Sequence, residues 1–283
     1  MSFSPENLVK IPGGWYNVGS IWKGGGIMPC YLIDLDGTIY RGREVLPGAA
    51  AFVEALERAG RPYRFLTNAA ERDPREIEGT LRRMGVPAPE GAVVSAAHLA
   101  ADLLRELSGE EHPRAAVFGT EFFREFCRRE GLVLTEEGPE FLLMSFSEEL
   151  TMGDIRRACG LIRRGARFTA THPDRLIPGE GGLLPYMGGI LEAMTAATGV
   201  EPIIAGKPSG HIRGYFTRLF GCPAGDIRMV GDQLETDMAL ARNCGFEAWL
   251  LLTGSTSPEE AARHPGEFDR CFAGMGEVLE ECL

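Results

Sequence analysis

The sequence predicts an α/β protein whose mainly parallel sheet is covered by helices on both faces. Three observations carry this expectation. From residue 31 onward, short apolar runs alternate with helical patterns. Prolines open several of the helical stretches and glycines close them. The chain's 283 residues amount to about two domains at roughly 150 residues each, enough to bury real cores.

The elements follow in order. Tyr31-Leu32-Ile33 is a buried-strand run that ends in acids. A helix is expected over 48–59, opened by Pro47 and closed by Gly60. Tyr63 to Leu66 is the second strand, and 74–84 the second helix, with Pro74 at its start and Gly85 after its end. Further strands are expected at 92–94, 115–118, 141–146, 167–170, 202–205, 227–230 and 247–252. Helices at 96–107, 120–130, 152–164, 187–198, 209–220, 234–243 and 258–263 separate most of them. No internal repeat or low-complexity tract interrupts this rhythm. Residues 1–27, with Gly13-Gly14 and Gly24-Gly25-Gly26 around Trp15 and Trp22, read as a loosely ordered arm, and Met28 is an alternative start.

Composition excludes several function classes. Forty acidic against 29 basic residues give a net charge of −11. That balance opposes bulk attraction to nucleic acid or anionic membrane, while leaving room for a locally basic phosphate pocket. No apolar run approaches the ~20 residues of a membrane span. The seven cysteines are scattered and never form C-x-x-C, which reads as reduced thiols in a cytoplasmic protein. The N-terminus lacks a signal-peptide pattern. Only three of the 29 basic residues are lysine, and after Lys23 only Lys207 remains.

In an open α/β sheet, ligands bind beyond the carboxyl ends of the strands. The first strand runs into Asp34-Leu35-Asp36-Gly37-Thr38. Two carboxylates directly after a buried strand are an expensive place for unpaired charge, and a Mg²⁺ ion resolves it; a turn with solvated acids is the plainer reading. An ionised Asp can also act as nucleophile while its neighbour passes a proton. Thr67-Asn68 ends the second strand as either a phosphate-holding pair or a turn and cap. Gly206-Lys207-Pro208-Ser209 opens a helix with Ser209 placed to cap it, and Lys207 fits a site that needs a compact charge. In Gly231-Asp232-Gln233-Leu234-Glu235-Thr236-Asp237, Asp232 stands at a strand tip as a metal ligand. Asp237 can face the same crevice or simply favour the helix dipole.

In this order, D-x-D-G-T, T-N, G-K-P and G-D-x-x-x-T-D make the chain resemble the haloacid dehalogenase-like (HAD) hydrolases, and within them the NagD-like sugar and nucleotide phosphatases. The resemblance runs from about residue 29 to the C-terminus. It includes Tyr40-Arg41-Gly42, Leu46-Pro47-Gly48-Ala49, and the stretch from Gly165-Ala166-Arg167-Phe168 through Thr171-His172-Pro173-Asp174 to Glu180-Gly181-Gly182. It implies a Rossmann-like core over 28–95 and 201–283, with an inserted α/β cap of the C2 type over 96–200. It further implies Asp34 as nucleophile forming an aspartyl-phosphate and Asp36 as general acid, then base. Thr67 and Asn68 would bind the phosphoryl group, and Lys207 would neutralise its charge. Mg²⁺ would be held by Asp34, the Asp36 carbonyl and Asp232, with Asp237 in support. An acid at position 36 argues against carbon–halogen chemistry in this family.

Two departures bear on substrate. Relatives often carry a longer polar run where this chain has Thr67-Asn68-Ala69-Ala70, and the cap loop more often reads T-N-P-D where this chain has His172. His172, Asp174 and Arg175 are therefore candidate substrate readers, with an ordinary capping or surface role as the alternative for His172. The expectation is a Mg²⁺-dependent phosphomonoesterase acting on a small phosphorylated metabolite, such as a sugar phosphate or nucleoside monophosphate. The competing readings are a non-catalytic phosphometabolite-binding protein and a phosphotransferase to an acceptor other than water. Relatives often pair through their caps, so a homodimer is the assembly to test.

Overall fold

Every residue of the strand Cys30–Asp34 is buried, as expected for a strand covered on both faces of a parallel sheet. The computed structural model describes residues 8–11, 14–17, 28–179 and 182–282. In it this strand lies inside a six-stranded sheet ordered Arg270–Phe272, Glu247–Leu251, Ile227–Gly231, Cys30–Asp34, Tyr63–Thr67, Val93–Ser95. From Arg270–Phe272 across to Tyr63–Thr67 the neighbours run parallel. Read from the other edge, the strands of this sheet fall in the chain order 3-2-1-4-5-6. The order reverses between Cys30–Asp34 and Ile227–Gly231, which is where such sheets open a crevice at their carboxyl ends.

Alternation along the strands builds the two faces. Tyr31, Ile33, Phe65, Val230 and Trp249 share one core with Phe52 and Leu56 of the helix Ala49–Arg58, Ile77 and Leu81 of Pro74–Arg83, and Val278 of Met275–Cys282. Leu32, Leu66, Met229 and Leu250 alternate to the opposite face and are equally buried.

The chain forms two compact units. The first comprises Met1–Thr67, Pro74–Val94 and Pro208–Leu283, and carries the six-stranded sheet. The second comprises Asn68–Asp73 and Ser95–Lys207. The second unit has its own parallel sheet, ordered Ile203–Ile204, Arg167–Ala170, Phe141–Met144, Arg114–Phe118, Val133–Leu134. One of its cores joins Leu142, Met144 and Phe168 to Leu161 and Ile162 of the helix Met152–Arg163 and to Leu191 and Met194 of Met187–Thr198.

Several expectations need correction. The strand expected over 141–146 stops at Met144, and that over 202–205 shrinks to Ile203–Ile204. The helix expected from 209 begins at Ile212, because Ile212 and Arg213 first close turns onto the carbonyls of Ser209 and Gly210. Ser209 therefore does not cap it; its hydroxyl accepts from the His211 N–H at 3.4 Å. The helix expected over 234–243 is a wide π-type turn, Leu234–Met238, followed by an α-helix, Ala239–Cys244. The strands Val133–Leu134 and Arg270–Phe272 and two hairpins were not anticipated. Runs of two to four residues carry too little periodicity to announce themselves. The expected arm over 1–27 falls outside the described residues, apart from an antiparallel pair, Leu8–Ile11 with Gly14–Asn17. Among the described residues no helix is long and apolar enough to cross a membrane.

Candidate active site

The first unit brings three carboxylates together where its strand order reverses. Asp34 ends the strand Cys30–Asp34, Asp232 follows Ile227–Gly231, and Asp237 lies in the wide turn after it. All three are buried, and one carboxylate oxygen from each lies within 4.8 Å of the others. The side chain of Asp36 is not in this cluster and is exposed. Its neighbours form a tight turn in which the Leu35 carbonyl accepts from the N–H groups of Thr38, Ile39 and Tyr40, at 3.3, 2.8 and 3.1 Å. Thr67 ends the adjoining strand, half-buried.

The acids are fixed by backbone. The Asp237 carboxylate accepts from the N–H groups of Asp232 and Gln233, both at 3.2 Å, and so folds the wide turn back on itself. Asp232 Oδ2 accepts from the Ser255 N–H at 2.5 Å, and the Asp232 carbonyl from Thr256 N–H at 3.1 Å. Three glycines leave room for this. A Cβ on Gly37 would come within 2.5 Å of Asp232 Oδ2, and one on Gly254 would overlap the same carboxylate. A Cβ on Gly231 would collide with Asp237. Gly37 also has φ +83, a conformation that disfavours other residues. The Thr253 hydroxyl donates to the Gly37 carbonyl at 2.7 Å, and Arg41 donates to the Thr253 carbonyl, tying the two loops together.

A second polar group lies in the second unit. Lys207 is buried at 4 % exposure, and Asn68 brackets its main chain. Asn68 Oδ1 accepts from Lys207 N–H at 2.9 Å, and its Nδ2 donates to the Lys207 carbonyl at 3.2 Å. Nδ2 also donates to Asp174 Oδ2 at 3.0 Å. His172 is fully buried, with Nδ1 at 3.2 Å from the same oxygen and its ring stacked on Tyr186 at 4.6 Å. Burial alone would push the Asp174 carboxyl up, but His172, Asn68 and Lys207 hold it below the usual carboxylate range. Arg175 points elsewhere: it is 76 % exposed and pairs with Glu192 at 2.5 Å.

Comparison with known proteins assigns the fold. Residues 31–133 match the haloacid dehalogenase-like hydrolase family, and residues 204–277 match a HAD-hydrolase-like model. The chain is 34 % identical over 229 residues to the 5'-nucleotidase YutF of Bacillus subtilis, covering 81 % of this chain and 89 % of that one. The chain belongs to the haloacid dehalogenase-like hydrolases. Within that family it is a NagD-like phosphatase. A 4-nitrophenylphosphatase from Thermotoga maritima superposes on this hydrolase with a TM-score of 0.84 at 33 % identity, covering 91 % of this chain and 98 % of that one. A glycerol phosphate phosphatase from Mycobacterium tuberculosis, solved with magnesium, gives a TM-score of 0.79 at 30 % identity, covering 89 % and 76 %.

Some residues of these two groups were missed in the sequence. Gly254, Ser255 and Thr256 follow the strand Glu247–Leu251, so their place at a strand's carboxyl end was the available signal. Tyr186, whose hydroxyl donates to Glu71 at 3.0 Å while its ring covers His172, gave none. It stands at the N-cap of a helix, 14 residues after His172 and 115 after Glu71, with nothing local to mark either contact.

Proposed function

We propose that this hydrolase is a Mg²⁺-dependent phosphomonoesterase of small phosphorylated metabolites, such as sugar phosphates or nucleoside monophosphates, working through an aspartyl-phosphate on Asp34. The convergence of three buried carboxylates at the reversal point of the sheet carries this reading. Held so close and out of water, they form a carboxylate donor set whose charge a divalent cation would offset. An all-oxygen donor set suits a hard divalent ion, and the magnesium bound by the glycerol phosphate phosphatase supports the choice. Asp34, Asp232 and the Asp36 carbonyl would hold the ion, with Asp237 fixing the turn. Bound there, the ion would supply charge neutralisation for the phosphoryl oxygens.

The protein's own groups perform the transfer. Asp34 attacks phosphorus and the ester oxygen leaves, taking a proton from Asp36. Asp36 then removes a proton from water as that water attacks the acyl-phosphate, releasing phosphate and regenerating Asp34. The exposure of Asp36 suits a group that trades protons with solvent. Thr67 and the main chain of Asn68 are assigned to the phosphoryl oxygens, and Lys207 supplies a compact positive charge. The second unit is taken as the cap. Arg175, exposed on the His172 loop, is its candidate for reading the leaving group.

Purified protein should release phosphate from an aryl phosphate and from members of a metabolite panel with Mg²⁺, and stop with a chelator. Asp34→Asn and Lys207→Ala should each lose about 10²-fold or more while remaining folded. Equal inertness of the wild type and Asp34→Asn across the panel would sink the enzyme reading. Transfer of phosphate to added alcohols in preference to water would replace hydrolysis with phosphotransfer.

A further inference from the structure

The Asn68 side chain has little left to offer a substrate. Its carboxamide has two N–H groups, and Nδ2 already donates to the Lys207 carbonyl and to Asp174. Its oxygen accepts from the Lys207 N–H. A flipped amide would set N–H against N–H and oxygen against oxygen, so only one orientation satisfies the Lys207 peptide groups. Asp174 selects that orientation by demanding a donor. The approach is tight, since a Cβ on Gly206 would come within 2.5 Å of Asn68 Oδ1.

Asp174 is held in turn. Its carbonyl accepts from Gly188 N–H at 2.8 Å at the start of the helix Met187–Thr198, and His172 Nδ1 stands 3.2 Å from its carboxylate. His172 is clamped by the Tyr186 ring, which is itself tied to Glu71. A side chain with no exposed surface that touches a carboxylate on one side and an aromatic ring on another is built to orient. We infer that His172, Asp174 and the Asn68 amide form a chain of positioning residues that sets the main chain of Lys207, and hence its ammonium. The inference rests on the proposed role of Lys207 at the phosphoryl group.

This makes a prediction that a substrate-reading His172 would not. The Mg²⁺-loaded enzyme and its His172→Leu, His172→Asn and Asp174→Ala variants are compared on several phosphate esters. His172→Leu and Asp174→Ala should lower kcat about 10-fold with little change in KM, and by the same factor whatever the leaving group. His172→Asn should recover to within about threefold, since its carboxamide keeps a polar N–H facing the Asp174 carboxylate, where His172 Nδ1 stands at 3.2 Å. Losses that fall on KM and differ between esters would overturn the inference in favour of substrate contact. Equal impairment of His172→Leu and His172→Asn, or wild-type kcat in His172→Leu, would also overturn it. A readout independent of activity is hydrogen exchange at the Asn68 side-chain amide, followed by NMR. His172→Leu should speed it about 10-fold, and an unchanged rate would refute the chain even in an inert protein. Inertness of the wild type itself would count against the phosphatase reading alone.

Discussion

Gly254 carries no chemistry, yet the geometry of Asp232 depends on it. Its place against that carboxylate leaves no room for a methyl group, and the next residue donates the N–H that orients Oδ2. Gly254→Ala should leave the protein folded and weaken Mg²⁺ binding by about 10-fold, as loss of groups that orient a metal ligand commonly does. Calorimetric titration checks this, and an unchanged affinity would show that the loop yields freely. The acids themselves were legible in the sequence. Asp34 and Asp232 each follow a run too apolar to end in charge without a reason. Gly254-Ser255 is marked only by its place after the strand Glu247–Leu251, because a Gly-Ser-Thr-Ser stretch has the composition of any surface loop. His172 was flagged but its situation was not, since nothing local announces that Tyr186 will cover it.

At the scale of elements, the helix Ala96–Ser108 couples stability to pH. Its start is a capping box in which Ser95 N–H donates to His98 Nδ1 at 3.2 Å, so the imidazole must keep a lone pair there. Burial pushes the His98 pKa down to about 4, and the nearby Asp73 opposes this only in part. An unfolded chain takes up the proton near pH 6.5, before the folded one does. Full stability is therefore present above about 6.5 and declines as pH falls toward 4, by on the order of 3 kcal/mol. Urea unfolding of the wild type and His98→Gln between pH 7 and 4.5 should show a steeper loss in the wild type. Parallel curves would mean that His98 is not the group responsible. Long elements of this kind were readable because their periodicity persists over three turns. The start of the helix Ile212–Phe220 was misplaced because Pro208 and Ser209 look like a helix opening, whereas Gly210 lets the chain turn once more before the helix begins.

For the whole molecule, the net charge of −11 says little about the clustered acids, which together offer a local all-oxygen donor set. A cation that binds there only in the folded state stabilises that state. At about 100 times its dissociation constant, Mg²⁺ should stabilise the protein by ~2.7 kcal/mol and raise Tm by about 5 °C. Scanning calorimetry with and without chelator measures the shift. The same rise in Asp232→Ala would place the ion elsewhere.

The strand order has a consequence for biosynthesis. Cys30–Asp34, all of it apolar but the last residue, needs Ile227–Gly231 as one of its two neighbours. A ribosome adding about 5–20 residues per second takes roughly 10–40 s to deliver that partner. Throughout that interval one edge of the strand bearing Asp34 has no native mate, while the second unit has all five strands of its parallel sheet in hand before Pro208 is made. The nascent chain is thus most exposed to misassociation at the strand that bears its proposed nucleophile, and a chaperone that shields apolar strand edges would act there first.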